Sequence, residues 1–474
     1  MKFQILSHAG MLVEQEGISI LFDPWLIGSC YWRSWWNFPE PELSLVKSLK
    51  PNYIYLTHLH WDHFHGPSLK LFSPDTKFIV PKIHTKRMVE DLEDLGFSHV
   101  IEIPHGSKLQ LGNNFELYSY QFGPCSDSAA LIKSKDVTLL NANDSKFFGF
   151  PLKQIINKFK KFDFIFRSHS SATAIPYCIQ DYYENYTEIR TSQDYIDDFT
   201  CFALFLKTKY AIPFASNHCF LHKDTFEFNQ LAVSPHDVQN YYKKKAKEFD
   251  IKSDCIVMPP GSSWDEENGF NIVPFDYDNK TYYIENLQVK YGPLLTNYYE
   301  QENRALANWN YFNRYFRLFL EAMPRFLFMK KNLKIIFKMT DAKKTNYWAI
   351  DFYNKSVCME DVLNDSQIVI ESSARIINDC VRKKMFSVWT ASKRLKVHLA
   401  NKDNLNDLRL FFTLLDLYEL DLLPISRNFR WRALGIYFRR WREIIEFVHV
   451  IMKVKLLKKP FSLPAYYPLK SDQI

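Results

Sequence analysis

The sequence predicts a layered α/β (α+β) domain followed by a mostly helical accessory region. Two patterns and the length predict this. Short apolar runs alternate with single helix-like segments up to about residue 265. Near 287–293 the composition shifts, and helical spacing dominates beyond it. At 474 residues the chain exceeds one ordinary core, so more than one domain is expected.

The elements follow in order. "KFQILS" (2–7) and "MLVEQ" (11–15) are short, partly alternating strands. "GISILFDPWL" starts at Gly17 and stops at the Asp23–Pro24 turn. "PNYIYLTH" (51–58) is an aromatic-rich strand that ends where histidines begin. "TKFIVP" (76–81) and "HVIEIP" (99–104) flank the helix-like "HTKRMVEDLEDLG", with Gly96 where a helix should stop. "NFELYSYQF", "SAALIKS", "VTLLNAND", "FDFIFRSHS" and "TKYAIPFASNH" continue the strands. "KQIINKFKKF" and "SPHDVQNYYKKKAKEF" punctuate them. Further on, "NYYEQENRALANWNYFNRYFRLFLEAM", "IESSARIINDCVRKKM" and "NLNDLRLFFTLLDLYEL" read as helical, and "LKIIFKMTD" with "TNYWAIDFYNKS" as a hairpin. The expected divisions are 1–285, an α+β region over 286–425, and a basic aromatic segment over 426–474.

Composition excludes several classes. Hydrophobic residues are 47% and charged residues 24%, a globular balance. There is no GxxxxGK[ST] and no GxGxxG, so P-loop and Rossmann nucleotide sites have no support. The net charge of +7 is mild for this length and does not indicate nucleic-acid binding. No apolar run approaches the ~18–20 residues of a membrane span. The opening "MKFQILSHAG" is too polar for a signal peptide, and the eight scattered cysteines form no CxxC pair. A reduced, cytoplasmic protein is expected.

"THLHWDHFHG" (57–66) carries the chemistry. His58 and His60, two apart at a strand end, share a face and can address one ion. A bend then aims Asp62 and His63 at a second ion. Imidazole suits zinc or iron, and the added carboxylate widens the choice toward iron and manganese.

This "HLHWDH" resembles the HxHxDH motif of the metallo-β-lactamase superfamily. The resemblance covers about residues 1–265 and implies an αββα sandwich with two divalent metals at one edge, zinc or alternatively iron. It implies that His58, His60, Asp62 and His63 are ligands, with Asp62 also orienting the nucleophile. The family's bridging aspartate, at a strand end, is matched by Asp144 in "VTLLNANDS". Its last histidine is matched by His218, nearer the strand end in "YAIPFASNHCFLH", or by His222. Its third histidine for the first metal has no counterpart: in "FGPCSDSAALI", Pro124 stands there, with Cys125 and Asp127 as candidate replacements. Asp23 in "LFDPW" resembles the family's early aspartate that supports a ligand histidine. His8 matches a position near the pocket. His65 and His169 are candidates for contacts around metal or substrate.

Within the superfamily, "SDSAALIKSKDVTLLNANDS" and "AIPFASNHCFLHKDTFEFNQLAVSPHDVQNYY" resemble the metallo-β-lactamase-like part of the CMP-N-acetylneuraminate hydroxylases. That alignment favours His222 as the shared histidine. Those enzymes carry a Rieske domain with paired Cys-x-His and Cys-x-x-His motifs, and the pair does not occur here. The resemblance therefore implies either a hydrolase acting on a sugar-type or nucleotide-sugar metabolite through metal-activated water, or a di-iron oxygenase served by a separate reductase. A binding module that kept the fold is the remaining alternative.

The region 334–398 weakly resembles sterol-carrier-like domains. The stretch from Arg427 to Pro460 carries ten Lys/Arg against two Glu, with Trp and Phe interleaved. Such segments suit peripheral contact with an anionic membrane.

Overall fold

The structure is a computed structural model that describes residues 1–123, 127–170, 172–180, 190–324, 333–361, 368–455 and 461–469. In the N-terminal half two sheets face each other. One has eight strands in the order Gly269–Asn271, Ser263–Asp265, Lys2–Ile5, Met11–Gln15, Ile18–Phe22, Tyr53–Tyr55, Lys77–Pro81, Val100–Ile103. The other has seven, in the order Asp254–Cys255, Tyr210–Pro213, Phe164–Arg167, Thr138–Asn143, Ser128–Lys133, Phe115–Gln121, Lys108–Gly112.

The alternation in the strands decides which side chains enter the sandwich. Phe3, Met11, Val13, Ile20 and Ile79 pack against Leu117, Ile132, Leu139, Phe166 and Ile212 between the sheets. Outside the first sheet, Leu21, Ile54 and Phe78 meet Met88 and Leu92 of helix Arg87–Asp94. Outside the second, Leu140 and Ile165 meet Leu152 and Ile155 of helix Gly149–Phe159, and Ala211 meets Val238 and Tyr242 of helix Pro235–Glu248. The layer order is αββα.

Two glycines set its corners. Glu16 and Gly17 take φ of 53° and 76°, the twin positive angles of a tight hairpin between Met11–Gln15 and Ile18–Phe22. Gly96 takes φ +98° just past helix Arg87–Asp94, and the Phe97 amide donates back to the Leu92 carbonyl (3.0 Å).

Strands Ile18–Phe22, Tyr53–Tyr55 and Lys77–Pro81 run parallel, as do Thr138–Asn143, Phe164–Arg167 and Tyr210–Pro213. Parallel strands deliver their C-terminal ends to one edge. Asp23, His58, Asp144, His169 and the loop to His218 all follow such ends.

In the C-terminal half, a five-stranded sheet runs Ser356–Glu360, Thr345–Asp351, Lys334–Thr340, Ile368–Ser373, Lys396–Leu399. Helices Trp309–Ala322, Ala374–Lys383 and Asn404–Glu419 cover it through Phe312, Phe316, Ile377 and Phe411, which pack on Phe337 and Trp348. "IESS" ends a strand instead of opening a helix, because Ser373 caps the next helix by accepting from the Ile376 amide. The same core runs on into Trp25, Tyr31, Trp35 and Phe220 of the N-terminal half. Residue 285 lies inside helix Lys280–Asn303, and residues 425–426 open the short helix Ile425–Phe429. Among the described residues no helix is long and apolar enough to cross a membrane.

Glu419 ends helix Asn404–Glu419, where burial pushes its carboxyl up to about 7 although the Phe386 and Ser387 amides and the Tyr315 hydroxyl donate to it. Its folded pKa lies above the ordinary 4.5, so its contribution to stability is full below 4.5 and is lost as pH rises through about 7. Glu419→Gln removes that titration. Thermal melts should show the variant gaining on the natural chain as pH rises from about 5 to about 8.

Candidate metal centre

The centre is built where the strand ends meet. Asp23 follows strand Ile18–Phe22 with φ +39°, and Asn143 ends strand Thr138–Asn143 with φ +45°. Both backbones are held in the left-handed region, which non-glycine residues occupy at a cost. What holds them is a set of hydrogen bonds to the fully buried Asp23 carboxylate. Oδ1 accepts from the Thr57 amide (2.8 Å). Oδ2 accepts from the Thr57 hydroxyl (2.7 Å), Asn143 Nδ2 (2.6 Å) and His63 Nδ1 (2.8 Å).

These contacts fix the histidine tautomers. With its Nδ1 proton given to Asp23, His63 presents Nε2 to the centre. The Thr57 hydroxyl donates to Asp23 and so accepts from His58 Nδ1 (3.0 Å), which leaves the His58 Nε2 lone pair facing inward.

Two donor sets result. In the first, His58 Nε2 lies 2.9 Å from His60 Nδ1 and 3.8 Å from Asp144 Oδ2. In the second, Asp62 Oδ2 lies 3.1 Å from His8 Nε2 and 3.4 Å from His63 Nε2. Asp144 Oδ2 also lies 3.3 Å from His63 Nε2, so one carboxylate oxygen reaches both sets. Donors about 2.0–2.2 Å from one cation stand roughly 3–3.5 Å apart, which matches these separations.

The residues fit metal ions on two further observations. His8 Nδ1 is buried with no hydrogen-bonding partner among the described residues, and the buried His8 Nε2 and His63 Nε2 face carboxylate oxygens at 3.1–3.4 Å. The electrostatics suit a cation as well. Burial, then the neighbouring His63, hold His58 down at about 4, so it is a neutral donor at pH 7. Burial opposes charge on Asp62 and Asp144, but His63 outweighs it in both, and both stay well below the usual carboxylate range. His63 itself is raised well above its ordinary value, because Asp62 and Asp23 overcome burial.

The structure thus brings together His58, His60, Asp62, His63 and Asp144, and it places in the second set His8, which the sequence offered as a possible metal contact or support for a ligand. Asp23 holds a donor histidine. His218 lies beside the second set, its ring stacked on Trp35 (3.6 Å between centroids, 1°) and 5.4 Å from His8. Its Nδ1 is buried without a partner among the described residues, and burial followed by His8 and Lys393 pushes its pKa well down.

His222 stands elsewhere. Its Nδ1 accepts from the Asp224 amide (3.1 Å), and its Nε2 lies 3.6 Å from Glu302 in an ion cluster with Arg394. His65 is tied to the Ser68 hydroxyl (2.8 Å) and the Ser29 carbonyl (3.3 Å). His169 is fully buried beside Phe199, with its amide on Ser216 Oγ (3.0 Å) and its pKa pushed down to about 3 by burial. The Asp127 carbonyl accepts from the Phe122 amide (2.7 Å), and its charge favours the protonated form of His58. Cys125 lies outside the described residues.

Sequence reasoning missed Tyr31 and Lys393. The Tyr31 hydroxyl donates to Asp62 Oδ1. Lys393, from the C-terminal half, is 4% exposed, with its ammonium 5.3 Å from the Trp35 ring centroid and 5.2 Å from those of Tyr177 and Phe220. No local motif announces either residue.

Two donor sets around one shared carboxylate, at the edge of an αββα sandwich, form a candidate dinuclear metal centre. No family model matches the chain. Curated relatives match part of it. Over 156 residues it is 30% identical to a Mycobacterium tuberculosis protein named as a Rieske 2Fe-2S iron-sulfur protein, covering 31% of this chain and 30% of that one. Over 148 residues it is 31% identical to the cytidine monophosphate-N-acetylneuraminic acid hydroxylase of Mus musculus, covering 29% of this chain and 25% of that one. The chain thus spans less than a third of the length of these relatives. Among solved structures, it is similar to an isothiocyanate hydrolase from Delia radicum gut bacteria, with a TM-score of 0.42, 13% identity, and coverage of 56% of this chain and 99% of that one. It is also similar to CmlA, a diiron β-hydroxylase from Streptomyces venezuelae, with a TM-score of 0.38, 15% identity, and coverage of 55% and 53%.

His60 serves one donor set and Asp144 serves both. Elemental analysis of the purified variants should therefore find about one cation fewer per chain in His60→Ala and weakened retention of both in Asp144→Ala. Far-UV circular dichroism should stay that of the natural chain in both. Full metal retention in Asp144→Ala contradicts the shared-carboxylate assignment.

Proposed function

We propose that the chain is a two-metal hydrolase acting on a small polar metabolite of sugar or nucleotide-sugar type that carries an acidic group. The observation that carries this reading is the Asp144 oxygen placed within 3.8 Å of His58 Nε2 and 3.3 Å of His63 Nε2. A shared carboxylate suits a pair of ions close enough to act on one bond. When bound, the cations supply Lewis acidity toward the scissile group and toward water.

The chain's own residues do the orienting. Asp62, held ionised by His63 and His8 and gripped at Oδ1 by Tyr31, keeps one direction for accepting a proton or positioning water. Trp61 stacks on Tyr31 (5.9 Å, 13°) and shields that hydrogen bond. The stacked Trp35–His218 pair walls the opposite side. Lys393 lines the same pocket as Ser216, His218, Tyr177 and Tyr195, where a fixed positive charge suits a carboxylate or phosphate of the substrate. Burial lowers its pKa to about 8, near enough to neutrality that an arriving anion favours the charged form.

One observation favours a second reading, a di-iron hydroxylase served by a separate reductase. Each donor set holds two imidazoles and a carboxylate, a combination common at non-haem iron. The partial likeness to the mouse hydroxylase points the same way.

Elemental analysis separates the readings. About two zinc per chain with turnover of chromogenic esters or phosphodiesters supports hydrolysis; two iron with O₂-dependent turnover supports hydroxylation. In the hydrolytic case Asp62→Asn should lower kcat by about 10²-fold or more. Lys393→Met should raise KM for acidic substrates by about 10–100-fold, the loss of one charge-assisted contact, with kcat changed far less.

A further inference from the structure

The basic aromatic segment holds a surface that the metal centre does not use. Helix Trp431–Lys455 is bolted to the sandwich along one face. Arg432 Nη1 donates to Glu102 (3.1 Å), and Arg440 Nε donates to Glu443 (2.7 Å), which in turn accepts from the Gly123 amide (3.0 Å). Phe447 packs edge-on against Phe148 (5.4 Å).

The opposite face is bare and apolar. Trp431 is 90% exposed, Phe438 78% and Trp441 51%, and Ile445, Val448 and Met452 are about half exposed. The helix kinks at Arg440 (φ −116°, ψ 17°), so the exposed residues form two apolar patches, Trp431 with Phe438 before the kink and Trp441, Ile445, Val448 and Met452 after it, the latter at three- and four-residue intervals. Phe429, 70% exposed, extends the first past the helix start. Apolar patches of this kind on a free surface mark an interaction site.

A second, independent feature adjoins it. A groove of about 640 Å³ lies between helix Gly149–Phe159 and this helix, lined by Lys153, Lys158, Arg439 and Arg442 together with His105 and Tyr120. Among the described residues no carboxylate lines it. Glu116, on the adjoining sheet, is occupied by Lys108 (2.8 Å) and the Tyr118 hydroxyl (2.8 Å). Four basic side chains around an open groove form an anion receptor. Arg439 and Arg442 each follow an exposed aromatic residue, Phe438 and Trp441, and the Arg442 guanidinium lies 5.1 Å from the Trp441 ring, so the groove adjoins the apolar patches.

We infer that helix Trp431–Lys455 docks the protein onto an anionic lipid surface, its apolar patches entering the headgroup–acyl boundary while the Lys153–Lys158–Arg439–Arg442 groove takes an anionic headgroup. Interfacial aromatic rings beside clustered basic residues suit this target, because rings tolerate the polar–apolar boundary and the cations find the surface charge. A second copy of this chain would bring the same basic groove toward its own image, which charge disfavours.

Flotation of the full chain with vesicles tests the assignment. Vesicles of phosphatidylcholine with phosphatidylglycerol should carry the protein, and pure phosphatidylcholine should carry at least about 10-fold less. About 1 M NaCl, where the screening length is ~3 Å, should release most of it. The pair Trp431→Glu with Phe438→Glu, and separately the pair Lys153→Glu with Arg442→Glu, should each reduce binding by about 10-fold or more while metal content and circular dichroism stay unchanged. Absence of the natural chain from the anionic vesicles overturns the inference, as does undiminished binding by both paired variants. A concentration-dependent dimer that Trp431→Glu with Phe438→Glu disperses, without vesicle binding, overturns it in favour of a self-association surface.

Discussion

The Asp23 carboxylate is the constraint on which the site depends. It is wholly buried, and its two oxygens accept four hydrogen bonds, from the Thr57 amide and hydroxyl, His63 Nδ1 and Asn143 Nδ2. Asp23 and those donors bring together three strand ends, two in the first sheet and one in the second. A buried carboxylate without such donors would cost several kcal/mol in desolvation; with them it becomes a clamp between sheets. The clamp fixes the register of the loop after Tyr55, and that loop carries His58, His60, Asp62 and His63. It also fixes the turn at Asn143, which delivers Asp144. The left-handed backbone at Asp23 and Asn143 is the strain that this network holds in place.

The C-terminal half depends on the same economy of fixed contacts. Its segment 392–397 is laced to the N-terminal half at several points. The Ser34 hydroxyl donates to the Ser392 carbonyl (2.7 Å), Arg394 Nη1 donates to the Trp32 carbonyl (2.8 Å), and the Val397 amide donates to the Cys178 carbonyl (2.7 Å). Arg394 also grips Glu302 through two contacts of 2.9 Å. Burying a guanidinium is tolerable only with such pairing, and the pairing makes the segment rigid. Lys393 sits in the middle of it. The C-terminal half is therefore continuous with the N-terminal half in its core and contributes Lys393 to the pocket.

What the sequence could reveal follows from how local each signal is. The αββα layering is legible because strands alternate with period two and helices with 3.6, and both periods survive in short windows. The His58-to-His63 cluster is legible because its members are neighbours in the chain. Asp144 is legible through its strand-end setting. His8 is harder to assign: its place in the second donor set depends on the packing of strand Lys2–Ile5 between two partners, which no window shows. The choice between His218 and His222 is of the same kind. Four residues separate them, and the turn after strand His218–Phe220 sends one toward His8 and the other toward Glu302 and Arg394. Lys393 and Tyr31 reach the site from remote segments whose partners are aromatic rings or one carboxylate, and such contacts leave no spacing to read.

The charge balance of the centre argues for the class of molecule it receives. Among its donors the imidazole of His58 is neutral at pH 7, so the fixed negative charges are the carboxylates of Asp62 and Asp144. Asp23, solvated by the four groups that donate to it, adds a third carboxylate behind them. Two divalent cations, once bound there, would outweigh the three carboxylates of Asp62, Asp144 and Asp23, and Lys393 would add to that excess from the pocket wall. An uncompensated excess of that sign in a low-dielectric cleft draws anions and discriminates against cations and apolar compounds. A neutral sugar would leave the excess unmatched, whereas a carboxylated or phosphorylated one would neutralise it on arrival. In the proposed reaction the same field would favour a transition state that gathers negative charge on the reacting oxygen, so one electrostatic source would serve both recognition of the acidic group and stabilisation of the reaction.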